Sequence, residues 1–343
     1  MKIVITGGAG FIGSHTVVAL QEKGFEVIII DDLSNSSIDV LDRIQTISGV
    51  KPVFYKTDIC DYDRLDEIFK DNDDIIAVIH FAAFKAVGES VNDPLKYYRN
   101  NILGMVNVLE VMKKYEVNNF IFSSSATVYG QPDVLPATEE TPVQHATSPY
   151  GNTKQINEEI LSDTIKAQEG LKGISLRYFN PIGAHPSALI GELPIGTPNN
   201  LMPFVAQTAA GIHKELMVFG GDYNTPDGTA IRDYIHVVDL AQAHVVAMKR
   251  LLDEKNKSAY EVYNLGTGKG FSVLEVIKSF EKTSGKKLNY KIVDRREGDI
   301  EQIYASTLLA NGELGWTAQL NLDEMTRSAW QWQLNLMSKD KNY

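Results

Sequence analysis

The chain has 343 residues, 43% hydrophobic and 22% charged, which suits one large or two moderate domains with a sizeable core. Its net charge of -11 disfavours nucleic acid and anionic membrane as partners, and an anionic ligand must be held by a few local cations and helix N-termini against that field. Cys60 is the only cysteine and the 7 histidines show no paired ligand spacing, so intrachain disulfides are excluded and no metal is expected.

The first predicted element is a buried strand near residues 2–6. It runs into Gly7-Gly8-Ala9-Gly10-Phe11-Ile12-Gly13 and opens a helix over 11–23. Gly8, Gly10 and Gly13 fit G-x-G-x-x-G, while Gly7, Gly10 and Gly13 fit an even three-residue spacing. Either way the backbone can turn tightly and let a pyrophosphate approach the helix N-terminus. The next apolar run, 26–31, ends at Asp31-Asp32. An acid about twenty residues past the glycines is placed to accept hydrogen bonds from ribose hydroxyls and to repel a 2′-phosphate, so NAD is favoured over NADP. A chain that enters a core strand at Lys2, with no signal-type segment and no run of membrane-spanning length, is expected in the cytoplasm.

Further apolar runs near 52–57, 75–82, 119–125 and 173–179 alternate with amphipathic segments at 37–48, 61–70, 94–115 and 149–169. The alternation predicts an α/β fold, a Rossmann-type doubly wound parallel sheet with helices on both faces. Ligands on such a sheet bind outside the carboxyl ends of the strands, which here are Asp31, Asp58, Ala82-Ala83, Ser123-Ser124-Ser125 and Phe179-Asn180. Asp58-Ile59-Cys60-Asp61 reads as the end of a strand, with Cys60 packed and not nucleophilic. Past 180 a Pro/Gly-rich connection leads to a smaller α/β lobe, with helices at 201–212, 237–253, 272–284 and 321–335 and strands at 216–219, 261–265 and 289–293. The expected division is 1–180 for dinucleotide and 181–343 for substrate, with parts of 233–265 free to return to the first lobe.

Tyr150-Gly151-Asn152-Thr153-Lys154 is the only Y-x-x-x-K in the chain. Ser148 and Pro149 put Tyr150 at a helix start, so phenol and ammonium share one helix face. The loop before this helix follows the strand ending in Ser125, which brings phenol, ammonium and hydroxyls to one edge of the sheet. A free tyrosine is a poor base at neutral pH, but a neighbouring lysine and the positive nicotinamide ring would favour its phenolate. Tyr150 could then take a proton from a sugar hydroxyl, with Ser125 sharing a hydrogen bond and Lys154 holding the nicotinamide ribose.

Thr6 to Gly13, Ser123-Ser124-Ser125-Ala126-Thr127-Val128-Tyr129-Gly130 and Tyr150 to Lys154 resemble the extended short-chain dehydrogenase/reductase family. Lys85-Ala86-Val87-Gly88-Glu89-Ser90, Asn199-Asn200-Leu201-Met202-Pro203 and Asp227-Gly228-Thr229-Ala230-Ile231-Arg232-Asp233-Tyr234 narrow the likeness to its epimerase group, over nearly the whole chain. The resemblance implies that Gly7, Gly10, Phe11, Ile12, Gly13, Asp31, Asp32, Asn35, Ser36, Asp58, Ile59, Phe81, Ala82, Ala83, Lys85, Asn100, Ser123, Tyr150, Lys154 and Phe179 surround NAD. It also implies that Ser125, Tyr150, Asn180, Asn200, Leu201, Met217, Phe219, Arg232, Arg296, Asp299 and Ile303 hold a UDP-hexose. The implied reaction is reversible inversion at hexose C4 of UDP-glucose and UDP-galactose, by transient oxidation, rotation of a tethered 4-keto sugar and re-reduction. A homodimer through the helices at 94–115 and 149–169 is implied as well, which a stripe of Ile102, Val106, Leu109 and Met112 permits.

Ile303 falls where this family carries a bulky tyrosine, which excludes N-acetylhexosamines, or a small residue that admits them; a one-residue slip would put Tyr304 there. UDP-N-acetylglucosamine therefore stays open as a substrate. Ala83-Phe84 departs from the family's usual small residue and leucine by adding bulk beside the cofactor. A nucleotide-sugar 4,6-dehydratase is disfavoured because Ala126-Thr127 stands where related dehydratases carry Asp-Glu. A C4 reductase and a non-catalytic NAD sensor remain as rivals.

Overall fold

The computed structural model describes residues 1–296 and 299–340. β1 (Lys2–Thr6), β2 (Glu26–Asp31), β3 (Val53–Lys56), β4 (Ile75–His80), β5 (Asn119–Ser123), β6 (Lys172–Tyr178) and β10 (Tyr260–Leu265) form a seven-stranded sheet in the order β10-β6-β5-β4-β1-β2-β3. Every pairing in it is parallel. Strands buried on both faces must be apolar throughout, and Ile3, Val4 and Ile5 are fully buried. On one face Ile3, Ile5 and Ile29 meet α1 (Phe11–Glu22), α2 (Asp39–Ser48) and α9 (Val237–Leu252). On the other, Val4, Ile28 and Ile30 meet α3 (Tyr62–Lys70), α6 (Gly104–Lys114) and α7 (Pro149–Ala167). The strand order reverses between β1 and β4, so the crevice that opens above their carboxyl ends is the place for a ligand.

The helix expected over 94–115 is continuous but not regular. α4 (Val87–Asn92) precedes α5 (Pro94–Tyr98), then a π-turn at Arg99–Leu103 leads into α6. The wide turn faces Asn101 inward, where its side chain accepts from Phe84 N at 2.9 Å and donates to Phe84 O and Thr153 Oγ1, each at 3.0 Å. Of the apolar stripe on this helix, Leu109 and Met112 are buried in the sheet core. The strand expected over 52–57, with Asp58-Ile59-Cys60-Asp61 as its end, stops at Lys56. Asp58 accepts from Cys60 N at 2.8 Å, which fixes a turn ahead of α3.

β7 (Asn180–Ile182), β9 (Ile231–His236), β11 (Gly270–Ser272) and β13 (Gln302–Ile303) form a second sheet with β9 at its centre, and β8 (Leu216–Phe219) pairs with β12 (Tyr290–Val293). α8 (Leu201–Ala209), α10 (Val273–Ser284) and α11 (Leu322–Asp340) supply the core around them. β9 breaks the apolar pattern with Asp233, which is fully buried because it accepts from Thr267 N, Thr267 Oγ1, Gly268 N and Ala305 N. Among the described residues no helix is long and apolar enough to cross a membrane, and no group of three or more His, Cys, Asp or Glu is placed to hold a metal ion.

Candidate active site

Gly7 follows β1 with φ +71°, and a Cβ there would lie 2.7 Å from Ala82 N. A Cβ at Gly13 would lie 2.3 Å from Gly7 O. The turn is therefore packed backbone to backbone against α1 and the end of β4, with room for neither side chain. Gly10 caps α1 without a side-chain cap bond, and no acid sits in the first turn, which leaves the helix N-terminus open to an anion. Asp31 Oδ2 accepts from Ala9 N at 3.0 Å, and its Oδ1 accepts from Leu33 N at 2.9 Å and Ser36 Oγ at 2.8 Å. Burial raises the Asp31 carboxyl above its usual range, and these three bonds oppose it. A carboxylate has about four acceptor positions, so one is left for a ribose hydroxyl.

Gly7, Gly10, Phe11, Ile12, Gly13, Asp31, Asp32, Asn35, Ser36, Asp58, Ile59, Phe81, Ala82, Ala83, Lys85, Asn100, Tyr150 and Lys154 line one cleft of about 620 Å³, and Asn200 lines it too. The turn a Cβ would fill, the open helix end and the Asp31 acceptor are a donor and acceptor set that fits NAD. Ser123 and Phe179 stand behind this wall. Ser123 is buried, and Phe179 packs with Ala126 and Ile303. Cys60 stays apart from the chemistry: burial pushes its thiol up to about 12, and Sγ donates to the Arg99 carbonyl at 3.7 Å.

Ser148 Oγ accepts from Gly151 N at 3.1 Å and Pro149 takes the first helical position, so α7 starts one residue before Tyr150. Tyr150 is buried beside Ser125. Burial raises its phenol, nearby Tyr178 adds to the rise, and the Ser125 hydroxyl opposes it. Lys154 does not supply the expected lowering, because it is turned elsewhere: Nζ donates to Ser123 O at 2.7 Å and stands 4.9 Å from the Phe122 ring centre. Burial pulls Lys154 down to about 8, with Glu158 opposing.

Residues expected on the nucleotide sugar gather in the second lobe. Met217 and Phe219 are exposed on β8; Arg296 lies 5.5 Å from the Phe219 ring centre and pairs with Asp299 at 2.8 Å. Arg232 on β9 donates to the carbonyls of Ile231 at 2.8 Å and Ile300 at 2.7 Å. Burial chiefly, and the charge of Arg296, lower the Arg232 guanidinium, while Tyr234, Asp299 and Tyr223 oppose this. Arg232 and Arg296 are thus near enough for their charges to act on one another. Asn180 opens β7 and is exposed, Asn200 caps α8, and Leu201 begins that helix. Ile303 is 5% exposed and packs on Ala126, next to Ser125, whereas Tyr304 turns to the other side against Gly270. Glu297 and Gly298, between Arg296 and Asp299, lie outside the described residues.

Sequence reasoning missed Glu192. Its carboxylate lines the cleft, pairs with Lys85 at 3.2 Å and accepts from Asn200 Nδ2 at 2.6 Å, joining the dinucleotide side to the second lobe. The Glu192 carbonyl accepts from Trp332 Nε1 at 2.9 Å, and Arg43 lies 5.2 Å from the Trp332 ring centre, so this segment is tied to α11 and α2. Gly191, where a Cβ would meet the Trp332 ring at 2.6 Å, was the only local signal for that contact.

Residues 3–266 match the NAD dependent epimerase/dehydratase family. The chain is 53% identical over 333 residues to the UDP-glucose 4-epimerase of Bacillus subtilis (strain 168), covering 97% of each chain. The crystal structure of UDP-glucose 4-epimerase from Bifidobacterium longum in complex with NAD+ and UDP superposes with a TM-score of 0.93 at 50% identity, covering 98% of both chains. The Stenotrophomonas maltophila enzyme with bound NAD and formylated UDP-arabinopyranose gives 0.95 at 48% identity over 99% of each chain. With the glycine turn, the Tyr150 and Lys154 helix and the parallel sheet in one arrangement, the chain belongs to the NAD dependent epimerase/dehydratase family.

Proposed function

We infer that the protein is an NAD-dependent UDP-glucose 4-epimerase that interconverts UDP-glucose and UDP-galactose. The observation that carries the reading is that Tyr150, with Ser125 beside it, and Lys154 line the same cleft as the glycine turn and Asp31. NAD+, which the glycine turn and Asp31 would hold, would supply the hydride acceptor, and in its reduced form the hydride donor, for hexose C4. Tyr150 takes the proton of the hexose 4-hydroxyl; because burial raises its phenol, it becomes a base only when a cation lies against it. Ser125 shares the same substrate oxygen and keeps it in line. Lys154 keeps one of its three donors on the Ser123 carbonyl and offers the others to the nicotinamide ribose. Arg232 and Arg296 grip the diphosphate, Asn180, Asn200, Leu201, Met217 and Phe219 the remaining nucleotide, and Asp299 orients Arg296. The sugar itself is held loosely, since a gripped 4-keto hexose could not present its second face.

Phe179 and Ile303 form the wall beside Ser125, and Ile303 is the residue that decides how much room an acylamino group has. The reading includes NAD-binding residues 1–180 with parts of 233–265, a UDP-sugar lobe over 181–343, and a cytoplasmic location in keeping with one unpaired cysteine. It also includes a homodimer through the helices around α5, α6 and α7, where Leu95 and Leu103 are exposed.

UDP-galactose carrying deuterium at C4 tests the cycle. The epimerase reading expects the label at C4 of the UDP-glucose formed, with no net consumption of nicotinamide cofactor. Transfer of the label to C6 with loss of water would replace it with 4,6-dehydration, and stoichiometric formation of labelled NADH would replace it with simple oxidation at C4.

A further inference from the structure

Three successive serines at the end of β5 are tied to three residues of α7 spaced one helical turn apart. Ser125 lies beside Tyr150, the Ser123 carbonyl accepts from Lys154 Nζ at 2.7 Å, and Ser124 Oγ donates to Glu158 Oε1 at 2.5 Å. Positions 150, 154 and 158 share one helix face, so one rigid edge meets one turn three times. The first two ties belong to the reaction. The third has no part in it so far.

Glu158 is buried, and its partner is equally so. Arg177 of β6 donates from Nη2 to Glu158 Oε2 at 2.6 Å and from Nε to Oε1 at 3.0 Å. Arg177 also donates from Nη1 to Tyr129 OH at 3.0 Å, and Tyr129 OH donates to Asn264 Oδ1 of β10 at 2.6 Å. A buried ion pair is often no more stabilising than apolar residues of the same volume, so fold stability alone does not account for this one. Its hydrogen bond to Ser124 lands between the two residues that Tyr150 and Lys154 contact.

We propose that Glu158, backed by Arg177, is a positioning residue: by holding Ser124 it fixes the turn so that the Ser125 hydroxyl and the Ser123 carbonyl face Tyr150 and Lys154. The proposal rests on the epimerase reading for the reaction it serves. Its geometric core does not, and the test separates the two.

Ser124→Ala leaves the ion pair intact and removes only the tie. In NAD-loaded protein turning over UDP-galactose, kcat should fall roughly tenfold to a hundredfold with KM, NAD content and Tm close to wild type. Glu158→Gln should lower kcat and Tm together, because Arg177 is left unpaired. The double variant Glu158→Leu/Arg177→Met should recover Tm without recovering kcat. A substrate-free readout is the crystal structure of NAD-loaded Ser124→Ala, in which the Ser123 carbonyl should turn away from Lys154 and the Ser125 side chain away from Tyr150. Wild-type kcat and an unmoved Ser123–Ser125 turn in Ser124→Ala, or kcat and Tm recovering together in the double variant, would overturn the proposal. A wild type inert toward UDP-galactose, with the turn still displaced in Ser124→Ala, would sink the epimerase reading and leave the positioning role standing.

Discussion

Replacing Lys154 by methionine should stabilise the folded protein at neutral pH while removing its activity. Lys154 is 4% exposed, and burial lowers it from 10.5 to about 8, which corresponds to about 3.4 kcal/mol spent on keeping the buried group charged. Methionine has nearly the same shape and no charge. It also removes the donor to Ser123 O at 2.7 Å, and a buried carbonyl left unpaired costs about 1–3 kcal/mol. The balance at pH 7 is a gain of about 0.5–2.5 kcal/mol, seen as a Tm increase of at most a few degrees for a chain of this length. Between pH 8 and 10.5 the unfolded chain keeps the Lys154 proton while the folded protein releases it, so wild-type stability rises with pH across that window. The variant has no such rise. Thermal melts of both proteins freed of NAD, so that altered cofactor affinity does not enter, should therefore cross, with Lys154→Met the more stable at pH 7 and the less stable near pH 10.5. Turnover of UDP-galactose should drop about a hundredfold or more. A variant less stable than wild type at pH 7, or melts that run parallel across the pH range, would refute the burial argument.

Gly13→Ala should weaken NAD binding by about tenfold or more, read from a binding isotherm, because the new Cβ meets Gly7 O at 2.3 Å and forces α1 away from the turn at an overpacking cost of about 1–3 kcal/mol. Arg232→Met should raise the KM for UDP-galactose about tenfold or more with little change in kcat, since the diphosphate is held alike in ground and transition states; steady-state kinetics would decide. Ile303→Ala should increase turnover of UDP-N-acetylglucosamine relative to UDP-glucose, followed by chromatography, at a loss of about 2–4 kcal/mol from the cluster with Ala126 and Phe179. An unchanged substrate ratio would mean the acylamino group is limited by another wall.

The parts of this molecule legible in its sequence are those that local geometry dictates. A glycine with positive φ at 7, an open helix end at Gly10 and an acid at the tip of β2 need only neighbouring residues to be recognised. So do the Ser148 cap, Pro149 and the Tyr150 and Lys154 pair. The π-turn at Arg99–Leu103 was not legible, because it answers to Asn101 bonding Phe84 and Thr153, far apart in the chain. β9 hides behind Asp233, whose burial makes sense only once Thr267, Gly268 and Ala305 surround it. β7, β11 and β13 are too short for a period to show. At the site, the pairing of Tyr150 with Ser125 was expected, but the turn of Lys154 toward Ser123 depends on where β5 ends relative to α7. Glu192 reads as one acid in a loop until Lys85 and Asn200 are brought to it.

Incubating the purified protein with UDP-galactose, without added nucleotide, and following UDP-glucose by chromatography decides whether it is an epimerase that carries its own NAD. Wild type should give an equilibrium mixture of the two sugars and Tyr150→Phe none. No UDP-glucose from the wild type, even after NAD is supplied, would contradict the epimerase reading.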